Sequence, residues 1–171
     1  MKIALTGHTR GLGKSIYEQC NNDITSVIGF SKSNGFDITS AEDRKKIIEL
    51  SDDCDVFINN AYDRFGQIEM LYDLYDKWKT KEKTIVTIGS YASNAAEWRL
   101  QPCLYSTVKK ALDVVTYQLV NSHDRKGCKL MIFKPSYLGN KESQIPYEFA
   151  ANYLLAAIKN NTHQTIELVL R

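Results

Sequence analysis

Lys2-Ile3-Ala4-Leu5-Thr6-Gly7-His8-Thr9-Arg10-Gly11-Leu12-Gly13 is the stretch on which the reading of this chain turns. An apolar run of strand character enters a loop with three glycines, and Leu12, Ile16 and Cys20 then share one face of a helix. Such a turn between strand and helix lets backbone N–H groups approach a phosphate closely, and the helix dipole favours the negative charge. Outward from there, apolar runs alternate with helical patterns. Strands are predicted at Lys2–Thr6, Ser26–Phe30, Val56–Asn59, Thr84–Gly89, Leu130–Phe133 and Thr165–Leu170. Ser40 with Asp43 resembles a capping box opening a helix through Ile47, Ile48 and Leu50. Ile68, Leu71, Tyr75 and Trp78 form a stripe on the next helix. A long helix from about Pro102 to His123 carries Leu104, Val108, Ala111, Val115 and Leu119, with Pro102 suited to its first turn, and another spans Tyr147–Lys159. This alternation predicts an α/β fold: a doubly wound, three-layer sheet of six parallel strands with helices on both faces, one domain over residues 1–171.

With 22 basic and 20 acidic residues spread evenly over 171, the chain has no electrostatic footprint for nucleic acid or a membrane surface. No apolar run approaches the roughly 20 residues of a membrane span. Met1–Leu5 reads as a strand entering a loop, too short for a signal peptide. Cys20, Cys54, Cys103 and Cys128 are scattered without CxxC spacing, which points to reduced thiols in a cytoplasm. His8, His123 and His163 have no ligand spacing, and Asp52, Asp53 and Asp55 read as a solvated loop, so no metal is expected.

Three further signatures follow the glycine loop. Asn59-Asn60-Ala61 closes the third strand, and Ser90 follows the fourth. Tyr105 and Lys109, four apart on a helix, project from one face, where an ammonium favours the phenolate form of a neighbouring phenol. Taken in this order, from Met1 to about Pro135, the motifs resemble those of the short-chain dehydrogenase/reductase family: TGxxxGxG, NNAG, a catalytic Ser and YxxxK. The resemblance implies a Rossmann-type, nicotinamide-dependent oxidoreductase that interconverts a small-molecule carbonyl and an alcohol by hydride transfer. It implies Tyr105 as acid/base, Ser90 hydrogen-bonded to the substrate oxygen, and Lys109 also on the nicotinamide ribose. Cofactor contacts are implied at Thr6, Gly7, Thr9, Arg10, Gly11, Leu12, Gly13, Ser31, Lys32, Asp37, Ile38, Asn59, Asn60, Ala61 and Pro135, besides Tyr105 and Lys109.

The departures matter as much. Ser31-Lys32 stands where NAD-binding members place an acidic residue, and with Arg10 it suits a 2′-phosphate. NADP(H) is therefore expected ahead of NAD(H), the other reading being that Arg10 and Lys32 are solvated surface charges. Asp37-Ile38 resembles the family's adenine-contacting aspartate after the loss of one edge βα unit; Asp37 also reads as a turn residue before Thr39 and Ser40. Tyr62 replaces the NNAG glycine, as a packing group or a substrate contact. Between Ala61 and Lys83 there is no Asn for the family's proton relay. After Pro135-Ser136-Tyr137-Leu138-Gly139 the substrate lid is cut to about Gly139–Pro146, with Trp98, Arg99 and Tyr137 as candidate walls. Met70 and Leu74 on one helix, and Leu112, Tyr117 and Val120 on the other, lie off the core stripes. With the family's paired-helix interface in view, they predict a homodimer or tetramer. Two competing functions remain: a non-catalytic NADP-binding sensor or regulatory module, and a nucleotide-sugar epimerase or dehydratase. The second uses a different glycine spacing and a larger C-terminal part.

Overall fold

The computed structural model describes residues 1–20, 25–97, 101–160 and 167–170. Trp98, Arg99, His163 and the Thr165–Ile166 start of the last predicted strand lie outside them. The strands are β1 (Lys2–Thr6), β2 (Ser26–Phe30), β3 (Val56–Asn59), β4 (Thr84–Ile88), β5 (Lys129–Pro135) and β6 (Glu167–Leu170). The helices are α1 (Gly11–Cys20), α2 (Ala41–Leu50), α3 (Gly66–Trp78), α4 (Leu104–Val120) and α5 (Tyr147–Asn160). The strands pair in parallel in the order β2-β1-β3-β4-β5-β6. That is the doubly wound order 3-2-1-4-5-6 without its outermost strand and with one more at the far edge. The chain runs from β1 out to β2 and returns past β1 to β3. A crevice opens where the order reverses, beyond the carboxyl ends of β1 and β3.

Both faces of the sheet are covered, so its strands read as continuous apolar runs. Ile3, Leu5, Ile58 and Phe133 pack on one side with Leu12 and Ile16 of α1 and Leu154 of α5. Ala4, Phe57, Ile85 and Leu130 face the other layer, with Ile47 of α2, Trp78 of α3 and Leu112 of α4. Ser40 caps α2, its hydroxyl accepting the Asp43 N–H at 3.3 Å. Among the described residues no helix is long and apolar enough to cross a membrane.

Two expectations are corrected. Helix α4 begins at Leu104 rather than Pro102, because Cys103 is still extended; Leu104 is 55% exposed, and Val108, Leu112, Leu119 and Val120 form the buried apolar side. Met70, Leu74 and Leu112 are completely buried, and Val120 nearly so. Helix α3 packs against α2 and α4 as well as the sheet, so apolar residues on several of its sides serve one core. Its solvent face carries Glu69, Tyr72, Asp73, Asp76 and Lys77. Of the residues from which self-association was inferred, Met70, Leu74, Leu112 and Val120 are inside the protein and Tyr117 is half-buried.

Candidate active site

The crevice is built on the loop leaving β1. Gly7 (φ 73°) and Gly11 (φ 54°) adopt left-handed backbone conformations that a side chain would strain. A Cβ on Gly13 would lie 2.0 Å from the Gly7 carbonyl oxygen, so the first turn of α1 closes onto the loop only with glycine there. The end of β3 completes the junction. Thr6 Oγ1 accepts the N–H groups of Asn60 and Ala61, both at 3.0 Å, and Asn60 Nδ2 donates to the carbonyls of Thr6 (3.0 Å) and Gly7 (3.1 Å). Thr6 is fully buried and supports the loop from behind. Gly7, Thr9, Arg10, Gly11, Leu12 and Gly13 line a groove of about 1010 Å³ that continues past Ser31, Lys32 and Ile38 on one side and Asn60 and Ala61 on the other.

The far end of the groove carries more negative charge than Ser31-Lys32 suggests. Lys32 Nζ lies 2.7 Å from Asp63 and 3.0 Å from Asp37, and these two carboxylates raise its pKa. Asp37 also accepts the Thr39 N–H (2.9 Å) and hydroxyl (2.8 Å). The Thr39 backbone bond, then the Thr39 hydroxyl and Lys32, hold its carboxyl below the ordinary value against some desolvation. Phe36 and Ile38 face the groove, whereas Asp37 forms the turn leading into α2. Ser31 Oγ is engaged with Asn34 and Ser33.

A second cavity, about 690 Å³, adjoins the groove and shares Leu12, Asn60, Tyr62 and Tyr105 with it. Ser90, Tyr105, Lys109 and Pro135 all line it. Ser90 stands at the end of β4 and caps the 3₁₀ turn Tyr91–Ala95, its Oγ accepting the Ala92 N–H at 3.2 Å. Tyr105, in the first turn of α4, is 39% exposed. The ring of Tyr62 meets that of Tyr105 edge to face, centroids 5.0 Å apart. Tyr137, 77% exposed, stands at the rim.

Lys109 is only 2% exposed. Its Nζ donates to the Ile88 carbonyl at 2.7 Å and to Gln67 Oε1 at 2.8 Å, and lies 5.3 Å and 5.7 Å from the ring centroids of Tyr62 and Tyr105. Burial pushes its pKa down to about 7, with Asp113 opposing. Asn59 does not face the crevice. It is fully buried and donates from Nδ2 to the Gln67 carbonyl at 2.8 Å, tying β3 to the first turn of α3.

Behind the cavity lies a buried charge network. Lys134, the last residue of β5 before Pro135, donates to Asp113 (2.8 Å) and Asn94 (2.9 Å), with Glu167 at 3.4 Å. Ser93 Oγ donates to the same Asp113 carboxylate at 2.6 Å. The network joins the turn after Ser90 to α4, β5 and β6. Gln67, the place of Tyr147 at the groove and this network are absent from the sequence reading. Tyr147 packs its ring over Gly11 at the mouth of the groove. Gln67 left one trace: it lies four residues before Leu71 and seven before Leu74, on the buried side of α3.

No protein-family model and no curated protein matches this sequence. Solved structures do match the fold. The NADH complex of a 3-alpha-hydroxysteroid dehydrogenase from Pseudomonas sp. B-0831 superposes with TM-score 0.75 at 15% identity, covering 99% of this chain and 95% of that one. A short-chain dehydrogenase/reductase from Vibrio parahaemolyticus gives TM-score 0.72 at 16% identity and 99% of both chains. A small-chain dehydrogenase in complex with NADPH gives 0.78 at 14%, over 99% of this chain and 96% of that one. With its parallel six-stranded sheet and its crevice at the point of strand reversal, the chain has the fold of the short-chain dehydrogenase/reductases.

Proposed function

We propose that the protein is an oxidoreductase that interconverts a carbonyl and an alcohol using a nicotinamide dinucleotide, NADP(H) ahead of NAD(H). One observation carries this reading: Ser90, Tyr105 and Lys109 line a cavity that opens directly into a groove formed by Gly7, Gly11 and Gly13. The groove fits a dinucleotide on its own geometry. It brings the loop backbone and a helix N-terminus together at Gly7, Gly11 and Gly13, and a Cβ at Gly13 would clash with the Gly7 carbonyl and force the helix off the loop. Thr9, Arg10 and Leu12 flank the pyrophosphate position, Ile38 and Ala61 the adenosine, and Pro135 the nicotinamide end.

The dinucleotide supplies or accepts the hydride. Tyr105, exposed to the cavity, delivers a proton to the carbonyl oxygen, and Ser90, whose Oγ accepts from the Ala92 N–H, has its own O–H to donate to that oxygen. The ammonium of Lys109 favours the phenolate that remains. Arg10 and Lys32 meet a 2′-phosphate by charge-assisted hydrogen bonds. Lys32 must then exchange Asp37 or Asp63 for the phosphate, so the preference over NAD(H) is smaller than a free lysine would give. The scattered cysteines, without CxxC spacing, support a reducing compartment such as the cytoplasm.

The test is titration with NADPH and NADH, followed by a panel of carbonyl substrates with wild type and Tyr105→Phe. Loss of about 10²-fold or more in turnover with cofactor affinity nearly intact is expected. Full activity in Tyr105→Phe overturns the assignment of the acid. Cofactor binding without turnover on any substrate favours a sensor.

A further inference from the structure

Among the described residues no carboxylate hydrogen-bonds Lys109; what receives it is the Gln67 amide, with the Ile88 carbonyl. Both N–H groups of the Gln67 carboxamide are committed, Nε2 donating to the carbonyls of Asn59 (2.8 Å) and Ile88 (3.0 Å). Turning the amide over would set its oxygen against those two carbonyls, so its orientation is fixed and only Oε1 can face Lys109. The backbone is pinned as well, since the Gln67 carbonyl accepts from Asn59. Gln67 is itself fully buried, where the ends of β3 and β4 meet the first turn of α3.

We infer that Gln67 is the positioning residue that sets Lys109 beneath Tyr105, holding the ammonium in a socket that carries no charge of its own. This rests on the reading that Lys109 acts with Tyr105. A carboxylate in that socket would neutralise the ammonium and take the Nε2 donor away from the Asn59 and Ile88 carbonyls. A carboxamide holds the ammonium and leaves its field directed at the phenol. The pKa of Lys109, about 7, places the change of charge in the range where such chemistry operates. Among the described residues the other titratable or charged groups near Lys109 are Tyr105 and Asp113 on α4 and Tyr62 after β3. Asp113 is itself bound by Lys134 of β5. Helix α3 contributes Gln67, and β4 the Ile88 carbonyl, neither charged.

The test needs neither cofactor nor turnover. Lysine labelled with ¹³C at Cε is titrated by NMR, and the Lys109 signal is identified as the one missing in Lys109→Arg. In wild type it should titrate near neutrality, and the Gln67 side-chain amide shifts should follow with the same midpoint. In Gln67→Glu the Lys109 midpoint should rise by about one pH unit or more. A Gln67 amide that does not respond as Lys109 titrates overturns the inference even if Gln67→Glu cannot fold. So does an unchanged Lys109 midpoint in a folded Gln67→Glu protein. Failure here leaves the proposed reaction standing, and a fully active Tyr105→Phe enzyme leaves the Gln67–Lys109 contact standing.

Discussion

Replacing Asp63 with Asn should strengthen NADPH binding and leave NADH almost untouched. Asp63 and Lys32 are 2.7 Å apart, but their side chains are 36% and 60% exposed. A pair this open contributes little after solvent screening. A 2′-phosphate reaching Lys32 must give that up, and it also meets the repulsion of the Asp63 charge. Removing the carboxylate returns both, a gain of roughly 5- to 30-fold in Kd. NADH has no phosphate there and gains neither. Fluorescence titration of both cofactors with both proteins gives the ratio directly. At higher salt the difference between wild type and Asp63→Asn should narrow, because the groups are exposed and the Debye length shortens. An equal gain for NADH and NADPH, or no gain, would refute the placement of the 2′-phosphate at Lys32.

Gly13→Ala places a methyl 2.0 Å from a backbone carbonyl that cannot yield cheaply, so stability should fall by about 1–3 kcal/mol in urea melts and dinucleotide affinity should fall with it. Met70→Glu puts a carboxyl at a completely buried core position, and a loss of at least about 3 kcal/mol is expected, whereas Tyr72→Glu on the exposed face should cost little. Dissociation of a folded Met70→Glu dimer into folded monomers, seen by light scattering, would contradict that burial. For Lys109 the folded pKa is depressed from 10.5 to about 7, so between those values the unfolded chain binds more protons and stability rises with pH, by at most about 1.4 kcal/mol per unit. Lys109→Met lacks this term, so its stability relative to wild type should be highest at pH 6 and decline steadily to pH 9. A difference that stays flat over that range would mean that Lys109 titrates normally.

What could be read from one dimension, and what could not, divides along backbone and charge. The strands were legible because a parallel sheet covered on both sides needs unbroken apolar runs, as in Ile3-Ala4-Leu5 and Phe57-Ile58. The glycine loop was legible because a chain that must approach itself within 2.0 Å of a missing Cβ leaves Gly13 no alternative. Tyr105 and Lys109 reached one cavity because four residues are about one helical turn. Met70 and Leu74 misled for a related reason: a helix packed between two others is apolar on several sides, and its sequence looks the same whether the neighbour is its own chain or another copy. Gln67 escaped because a periodicity search counts apolar residues, and a polar one within a buried stripe reads as a gap.

Charges were hardest, since their effect is set by partners far along the chain. Lys32 reads as a phosphate ligand until Asp63, 31 residues away, is seen against it. Lys134 lies just past the predicted strand Leu130–Phe133, yet it is 3% exposed and held by Asp113, 21 residues before it. The same asymmetry separates the two lysines of the site. Lys32 is exposed and doubly paired, so its charge is stabilised and its field at the groove is cancelled. Lys109 is buried and held only by neutral acceptors, so its charge is costly and its field is left uncancelled. A lysine in the second condition can be switched by a single proton near neutral pH, and a lysine in the first cannot. The Tyr105 end of the crevice should therefore respond to pH, while the Lys32 end responds to salt.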